Sequence, residues 1–372
     1  MLKEVISQKE DMNRKLENVR GFLEEYDYDA VFYQRQDNFA WLTSGGHNGI
    51  LYNSENGQCG LLVTKQVVYL ITNSSEKPRV VNEEISSLPI QVIDYPWYES
   101  ISSTVWKTVR KGRVASDTPL EGMDLKTEEL SKLRYSLTEL EISRYKYLGE
   151  KAATLLEDYC KTIKTGQTEL EIAAGLNQIY FSNGLLPTVT LVGCDDRIDL
   201  FRHPVATSKA FHKKCMVVSC VSFKGLTVAM TRMVYSGKIP DPLHDKFSLT
   251  ARIEAELISK STVGASTLQI FEEMKRLYEE AGYYGEWKFH HQGGAIGYQN
   301  RDYLLTPTDA KIIQADQAFA WNPSIKGTKS EDTIIVGEKS PEIITVSKSD
   351  WPQLSLKVTN GLTIKRPGIL EI

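Results

Sequence analysis

The chain has 372 residues, 41% of them hydrophobic and 25% charged, with a formal net charge of −4. That length suits two domains with sizeable apolar cores, and the slightly acidic balance excludes a generally basic, polyanion-binding surface, so nucleic acid is not an expected partner. The five cysteines, Cys59, Cys160, Cys194, Cys215 and Cys220, are scattered without a Cys-x-x-Cys pair, which excludes a zinc knuckle or dithiol motif and fits reduced, buried thiols in a cytoplasm.

The opening stretch "MLKEVISQKEDMNRKLENVR" spaces its charges as an amphipathic helix and lacks a signal-peptide core, and no later run reaches membrane-spanning length. A cytoplasmic protein without a membrane partner is expected. Next, "YDAVFYQ" (Tyr28 to Gln34), "NFAWLT" (Asn38 to Thr43) and "CGLLVTKQVVYLIT" (Cys59 to Thr72) are β-rich, the last folding back around "TKQ" as a hairpin. With "QVIDY", a helical "TVWKTVRK" and "GRVASD", residues 1–133 make an alternating α/β domain. Ser136 or Thr138 then N-caps a long helix with Glu139 and Glu141 in its first turn, and Gly166 closes that segment.

Two segments of equal length repeat one another. "GQTELEIAAGLNQIYFSNG" (Gly166 to Gly184) and "GASTLQIFEEMKRLYEEAG" (Gly264 to Gly282) place Leu170/Leu268, Ile172/Ile270 and Tyr180/Tyr278 in register. Each follows a long helical stretch and precedes strand-like sequence, so residues 134–350 read as two related α/β halves with a ligand cleft between them. Trp287 and Trp321 either wall that cleft or pack in the core, which is the default for such residues. Residues 351–372 read as a short irregular tail.

Five landmarks occur in order: "FRHPVATSK", "GLTVAMTRMVYSG", "GAIGYQNRD", "AFAWNPSIKG" and "SEDTIIV". Their spacing resembles the creatinase, aminopeptidase P, prolidase and methionine aminopeptidase family over about residues 134–347. The resemblance implies a pseudo-symmetric "pita-bread" α/β domain behind a creatinase-type N-terminal α/β domain, and family precedent implies a homodimer. In the family's peptidases two Asp, one His and two Glu hold two divalent ions that activate a bridging water and polarise the scissile carbonyl. The resemblance puts those ligands at Val218 or Ser219, at Ala229, Gly294 and Asn322, and at Glu331, so only Glu331 keeps its ligand type. From Lys213 to Pro240 there is no acidic residue at all. A slipped register would bring in His291 for Gly294, but Gly297 and Asp302 would then lose their counterparts. No metal cofactor is therefore expected, although two ions serve the family's peptidases.

By the same resemblance, His203 matches a substrate-side histidine that moves a proton, and an imidazole performs that task without metal. His290 and His291 are neighbours, which in a strand would face opposite sides, so one at most is expected in the cleft, and His290 is the better placed. Arg301 either grips a substrate carboxylate or pairs with Asp302 or Glu331, since a carboxylate left without metal requires a compensating cation. Lys329 and Arg232 are further candidates for that cation. The expected catalytic residues are His203, Glu331 and His290, with Arg301, Asp302, Asn322 and Asp332 binding a small-molecule or dipeptide-like substrate. The function so implied is metal-independent hydrolysis of a small amide or guanidino C–N bond. Two alternatives stand beside it: an inactive binding or assembly module, and a metal-dependent Xaa-Pro dipeptidase with a rebuilt site.

Overall fold

In the computed structural model, which describes residues 6–372, Ser7 caps the first helix, Gln8–Glu25. Its hydroxyl accepts the Glu10 N–H while the Glu10 carboxylate accepts the Ser7 N–H, a reciprocal pair that satisfies two otherwise orphaned donors. The first five residues of the expected helix lie outside the described residues. The chain divides into two compact units: one reaches Ser143 and includes Lys224–Leu226, and the other holds Arg144–Phe223 with Thr227–Ile372. The division falls at Ser143, inside the helix Glu139–Cys160. That helix is capped by Thr138, whose hydroxyl accepts from Glu141 N–H while Glu141 accepts from Thr138 N–H.

The first unit is built on a six-stranded mixed sheet with spatial order Gln91–Tyr95, Val68–Asn73, Asn56–Thr64, Ala30–Arg35, Val114–Ser116, Asp124–Leu125. The expected hairpin is present, Cys59 pairing with Thr72 and Val63 with Val68. One expectation fails here, because "NFAWLT" falls largely within a helix, Gln36–Leu42. Six of its seven residues, Asp37 to Leu42, are buried, so this short run carries no polar face by which a helical period could be read.

In the second unit the repeat takes physical form. The helices Glu169–Ser182 and Thr267–Glu280 have equal length, follow Gly166 and Gly264 at positive φ, and end at Gly184 and Gly282, again at positive φ. Each is preceded by a long helix, Glu139–Cys160 or Asp241–Lys260. Thr168 and Ser266 occupy the N-caps and bridge to Ala210 and Ile312 respectively. The backbone bonds repeat too, with Gly166 N–H to Phe211 O at 2.8 Å matching Gly264 N–H to Ile313 O at 2.9 Å. Tyr180 and Tyr278, in register in the sequence, are both fully buried.

Each half contributes a sheet. The first runs Ile369–Glu371, Leu226–Tyr235, Lys214–Phe223, Leu186–Cys194, and the second Tyr303–Leu304, Gly293–Ala295, Ala318–Trp321, Asp332–Val336, Pro341–Ile343. Their central strands meet where Thr231 N–H bonds Glu331 O at 3.0 Å. Trp321 is fully buried, donating its indole N–H to Ser261, so it belongs to the core, and half-buried Trp287 packs against that core edge-on to Phe271. Among the described residues no helix is long and apolar enough to cross a membrane, and all five cysteines are buried and unpaired.

The last segment is not an irregular tail. Gln353–Lys357 and Thr363–Pro367 form a hairpin around Gly361, and Ile369–Glu371 adds a parallel edge strand to Leu226–Tyr235. Asn360-Gly361 between alternating apolar residues is the hairpin signal that identifies it. Arg366 from this hairpin is buried, gripping Glu254 at 2.6 and 3.0 Å and contacting Asp332. Arg366→Ala should cost about 3–5 kcal/mol, because it leaves the buried Glu254 carboxylate without its cation. Urea denaturation tests this, and an unchanged midpoint would refute the structural role.

Candidate active site

The segment carrying His203 follows a short helix, Asp196–Leu200, and is held by one buried carboxylate. Glu169 accepts the N–H of Cys194 at 2.8 Å, the N–H and hydroxyl of Thr207 at 2.9 and 2.7 Å, and Arg197 Nε at 2.9 Å. Both ends of the loop are thereby tied to the start of the helix Glu169–Ser182. Next to His203, Arg202 reaches Glu286 at 2.5 Å and Ser324 Oγ at 3.3 Å. Glu286 opens the single 3-10 turn Glu286–Phe289 that delivers His290, so this ion pair fastens the two histidine-bearing segments together. Neither Glu169 nor Glu286 was marked by a motif, since their partners lie far along the chain.

His203 Nε2 and His290 Nε2 approach to 3.0 Å. The His290 and His291 rings stack with centroids 4.5 Å apart, and His291 lies 6.2 Å from the His203 ring. The expectation that only one of the two neighbours faces the cleft is therefore overturned. They lie between the 3-10 turn and the strand Gly293–Ala295, outside any ladder, and the alternation of a pleated strand does not govern them.

Glu331 sits beneath this cluster, fully buried. Its carboxylate accepts from Lys329 Nζ at 2.8 Å, Arg301 Nη2 at 3.1 Å and the Thr231 hydroxyl at 2.7 Å. Burial alone would raise its pKa, but Lys329 and Arg301 hold it down at about 2. The same surroundings keep the imidazoles neutral. Burial, followed by the Lys329 charge, lowers His203 and brings His290 down to about 2. Burial, followed by the Arg301 charge, takes His291 to about 4. Cys220, within reach of the Glu331 field, is pushed up to about 12, chiefly by burial, which withholds the thiolate a nucleophile needs.

The remaining positions singled out in the sequence divide clearly. Ser219 and Ala229 are buried, with Ser219 Oγ on Tyr180 and Ala229 bonded through its N–H and C=O to the Thr333 hydroxyl. At Gly294 an added Cβ would lie 2.0 Å from Tyr303 O, so this backbone admits no ligand side chain there. Asn322 donates its N–H to Gln292 O, next to His291, and its Oδ1 is buried without a partner. His290 Nδ1, His291 Nδ1 and Arg301 Nε share that condition, a concentration of unsatisfied polar atoms typical of functional sites. Asp302, half-buried, follows Arg301, with its N–H bonded to Ala295 O.

Asp332 is placed elsewhere, and its expected substrate role needs correction. Its carboxylate faces away from Glu331 into a buried network with Arg232, Arg366 and the Thr345 hydroxyl. Adjacent strand residues point to opposite faces, so only one member of the Glu-Asp pair could join the cluster. Arg232, bonded to Glu157 at 2.7 Å as well as to Asp332, is likewise structural. Lys329 and Arg301 together supply the cations that Glu331 requires.

Two acid transitions follow from these shifts. His290 and His291 stay neutral in the fold but protonate near their ordinary value of 6.5 once unfolded, so stability should fall as the pH drops below about 6.5. Glu331 contributes stability in full above its ordinary 4.5, and this is lost as the pH falls towards 2. Its share is on the order of 3 kcal/mol. Glu331→Gln, leaving Lys329 and Arg301 uncompensated, should cost about 3–5 kcal/mol at neutral pH. A urea midpoint equivalent to a loss under about 1 kcal/mol would contradict the burial of this triad.

The model for metallopeptidase family M24 matches residues 143–338, just over half of the chain. An uncharacterised peptidase of Staphylococcus aureus strain MW2 is 23% identical over 226 residues, covering 58% of this chain and 64% of that protein, so the match spans less than two thirds of the relative. Among solved structures, an Xaa-Pro dipeptidase from Bacillus anthracis is similar with a TM-score of 0.73 at 19% identity, over 93% of this chain and 99% of that one. The prolidase from Pyrococcus horikoshii is similar with a TM-score of 0.76 at 16% identity, over 91% and 99%. At such identities the likeness is one of fold, and it agrees with the two pseudo-symmetric halves. On the strength of the family match, the chain belongs to metallopeptidase family M24.

Proposed function

We propose that this family member hydrolyses a small C–N bond substrate, of amide or guanidino type, without the two-metal centre of the family's peptidases. The observation that carries the reading is the 3.0 Å approach of His203 to His290. Two imidazole nitrogens this close hold a single proton between them, one ring donating and the other accepting. His203, at the exposed end, exchanges a proton with an attacking water and the leaving nitrogen, while buried His290 fixes its tautomer. Arg301 offers a fixed cation to an anionic group of the substrate.

The donor set argues against a pair of dications. Of the positions assigned to metal ligands, Val218 or Ser219, Ala229 and Gly294 bring no anionic donor, and Asn322 brings a neutral amide. The one carboxylate, Glu331, is already bonded to two protein cations and a hydroxyl. Two divalent ions require several charged donors at fixed distance, and the Lys329 ammonium stands where a metal would have to approach. Glu331 accordingly anchors the cations rather than serving as a free base. The saturation of that carboxylate also favours a second reading, a ligand-binding module without turnover.

A screen of Xaa-Pro dipeptides, small amides, ureas and guanidino compounds, with and without chelator, distinguishes these readings. Turnover is expected to survive chelation and to fall about 10²–10⁴-fold in His203→Ala. Thermal stabilisation by a tested compound without turnover would favour the binding module. Turnover that depends on two equivalents of tightly held metal would overturn both.

A further inference from the structure

Outside the positions that hold metal in the family's peptidases, three imidazoles converge. One ring nitrogen from each of His203, His290 and His291 lies within 4.8 Å of the other two. We propose that these three histidines form a site for a single borderline transition ion, of the zinc, nickel or copper(II) class. Zinc–imidazole bonds of about 2.0–2.1 Å at tetrahedral angles separate the ligand nitrogens by roughly 3.3 Å. His203 and His290 are already at 3.0 Å, and the third nitrogen closes the remaining gap by side-chain rotation.

The supports are in place before any ion arrives. Arg202–Glu286 and the Glu169 clamp fix the loop of His203 against the turn that carries His290. His203 is exposed and His290 buried, an arrangement of three protein nitrogens with one side open to water, as in sites that keep a coordination position free. The donor set then selects the ion. Three neutral nitrogens with no available carboxylate, beside Lys329 and Arg301, reject hard ions such as magnesium, calcium and manganese, and retain those that bind imidazole most strongly. The Nδ1 atom of His290, on the far side of the ring from the Nε2 that faces His203, has no acceptor, and this missing outer support sets the affinity about 10–100-fold below that of a fully braced site.

Binding here is independent of the hydrolase reading, but its consequence rests on it. An ion would take the lone pairs through which His203 and His290 pass a proton, so the loaded site would be a silenced one. The test uses the full chain stripped with chelator and titrated with zinc chloride by calorimetry and with cobalt(II) by visible absorption. One equivalent is expected, with four-coordinate cobalt bands. Affinity should fall at least about tenfold in His203→Ala and in His291→Ala, and should be unchanged when the exposed His212 and His244 are both replaced by alanine. No uptake, two equivalents, or binding indifferent to His203→Ala would overturn the site. His203 is exposed, so its replacement leaves the core intact and keeps the result interpretable. Absence of turnover in the stripped protein would defeat the hydrolase reading alone, whereas zinc inhibition of turnover would join the two.

Discussion

The arrangement of the second unit depends on one buried carboxylate. Glu331 lies on the seam between the two halves, where its backbone carbonyl and its side chain both bond Thr231. A charge so placed is costly unless it is neutralised locally. Lys329 from the same segment and Arg301 from the turn after Gly297 perform that neutralisation. The cations that satisfy Glu331 also set the field above it, and the three histidines stay neutral in that field. Burial first and the field of this ion triad second thus set the protonation state of the cleft.

The residue beside it performs a different task for a purely geometric reason. Asp332 begins the strand Asp332–Val336 and points to the opposite face, where Arg232, Arg366, Glu157 and Glu254 form a second charged cluster. That cluster joins the long helices Glu139–Cys160 and Asp241–Lys260 to the C-terminal hairpin. The first ion triad shapes the cleft, while the second holds together the scaffold on which the cleft is mounted. Exchange of their roles is barred by the two-residue period of the strand.

Much of this fold was legible in the sequence, because the features that specify it are local. The paired glycines at 166/184 and 264/282 and the matched Tyr180 and Tyr278 declare themselves by spacing. What was not legible depends on contacts distant in sequence or on the absence of periodicity. Phe39 to Leu42 are buried on every side and so show no helical face. The hairpin at Asn360-Gly361 was signalled by its turn, yet its importance rests on Arg366 reaching Glu254, 112 residues away. In the site, His203, His290, Arg301 and Glu331 were placed together by their motifs. The joint approach of His290 and His291 was hidden, because the period of a strand was assumed for residues that belong to no ladder.

The histidine cluster can be understood as a consequence of the same electrostatics. Burial first, and the cations beside Glu331 second, make it unfavourable for these imidazoles to take a second proton, so each ring keeps one nitrogen lone pair. Two ring nitrogens held 3.0 Å apart have two chemical uses, sharing a proton or sharing an ion, and the two exclude one another. Proton transfer needs one nitrogen to stay open to substrate, which exposed His203 provides. Ion capture needs a third nitrogen, which His291 provides through its stacking on His290. On the proposed reading, a cleft whose one carboxylate is already held by Lys329 and Arg301 turns away hard ions that seek carboxylates and remains open to those that seek imidazole.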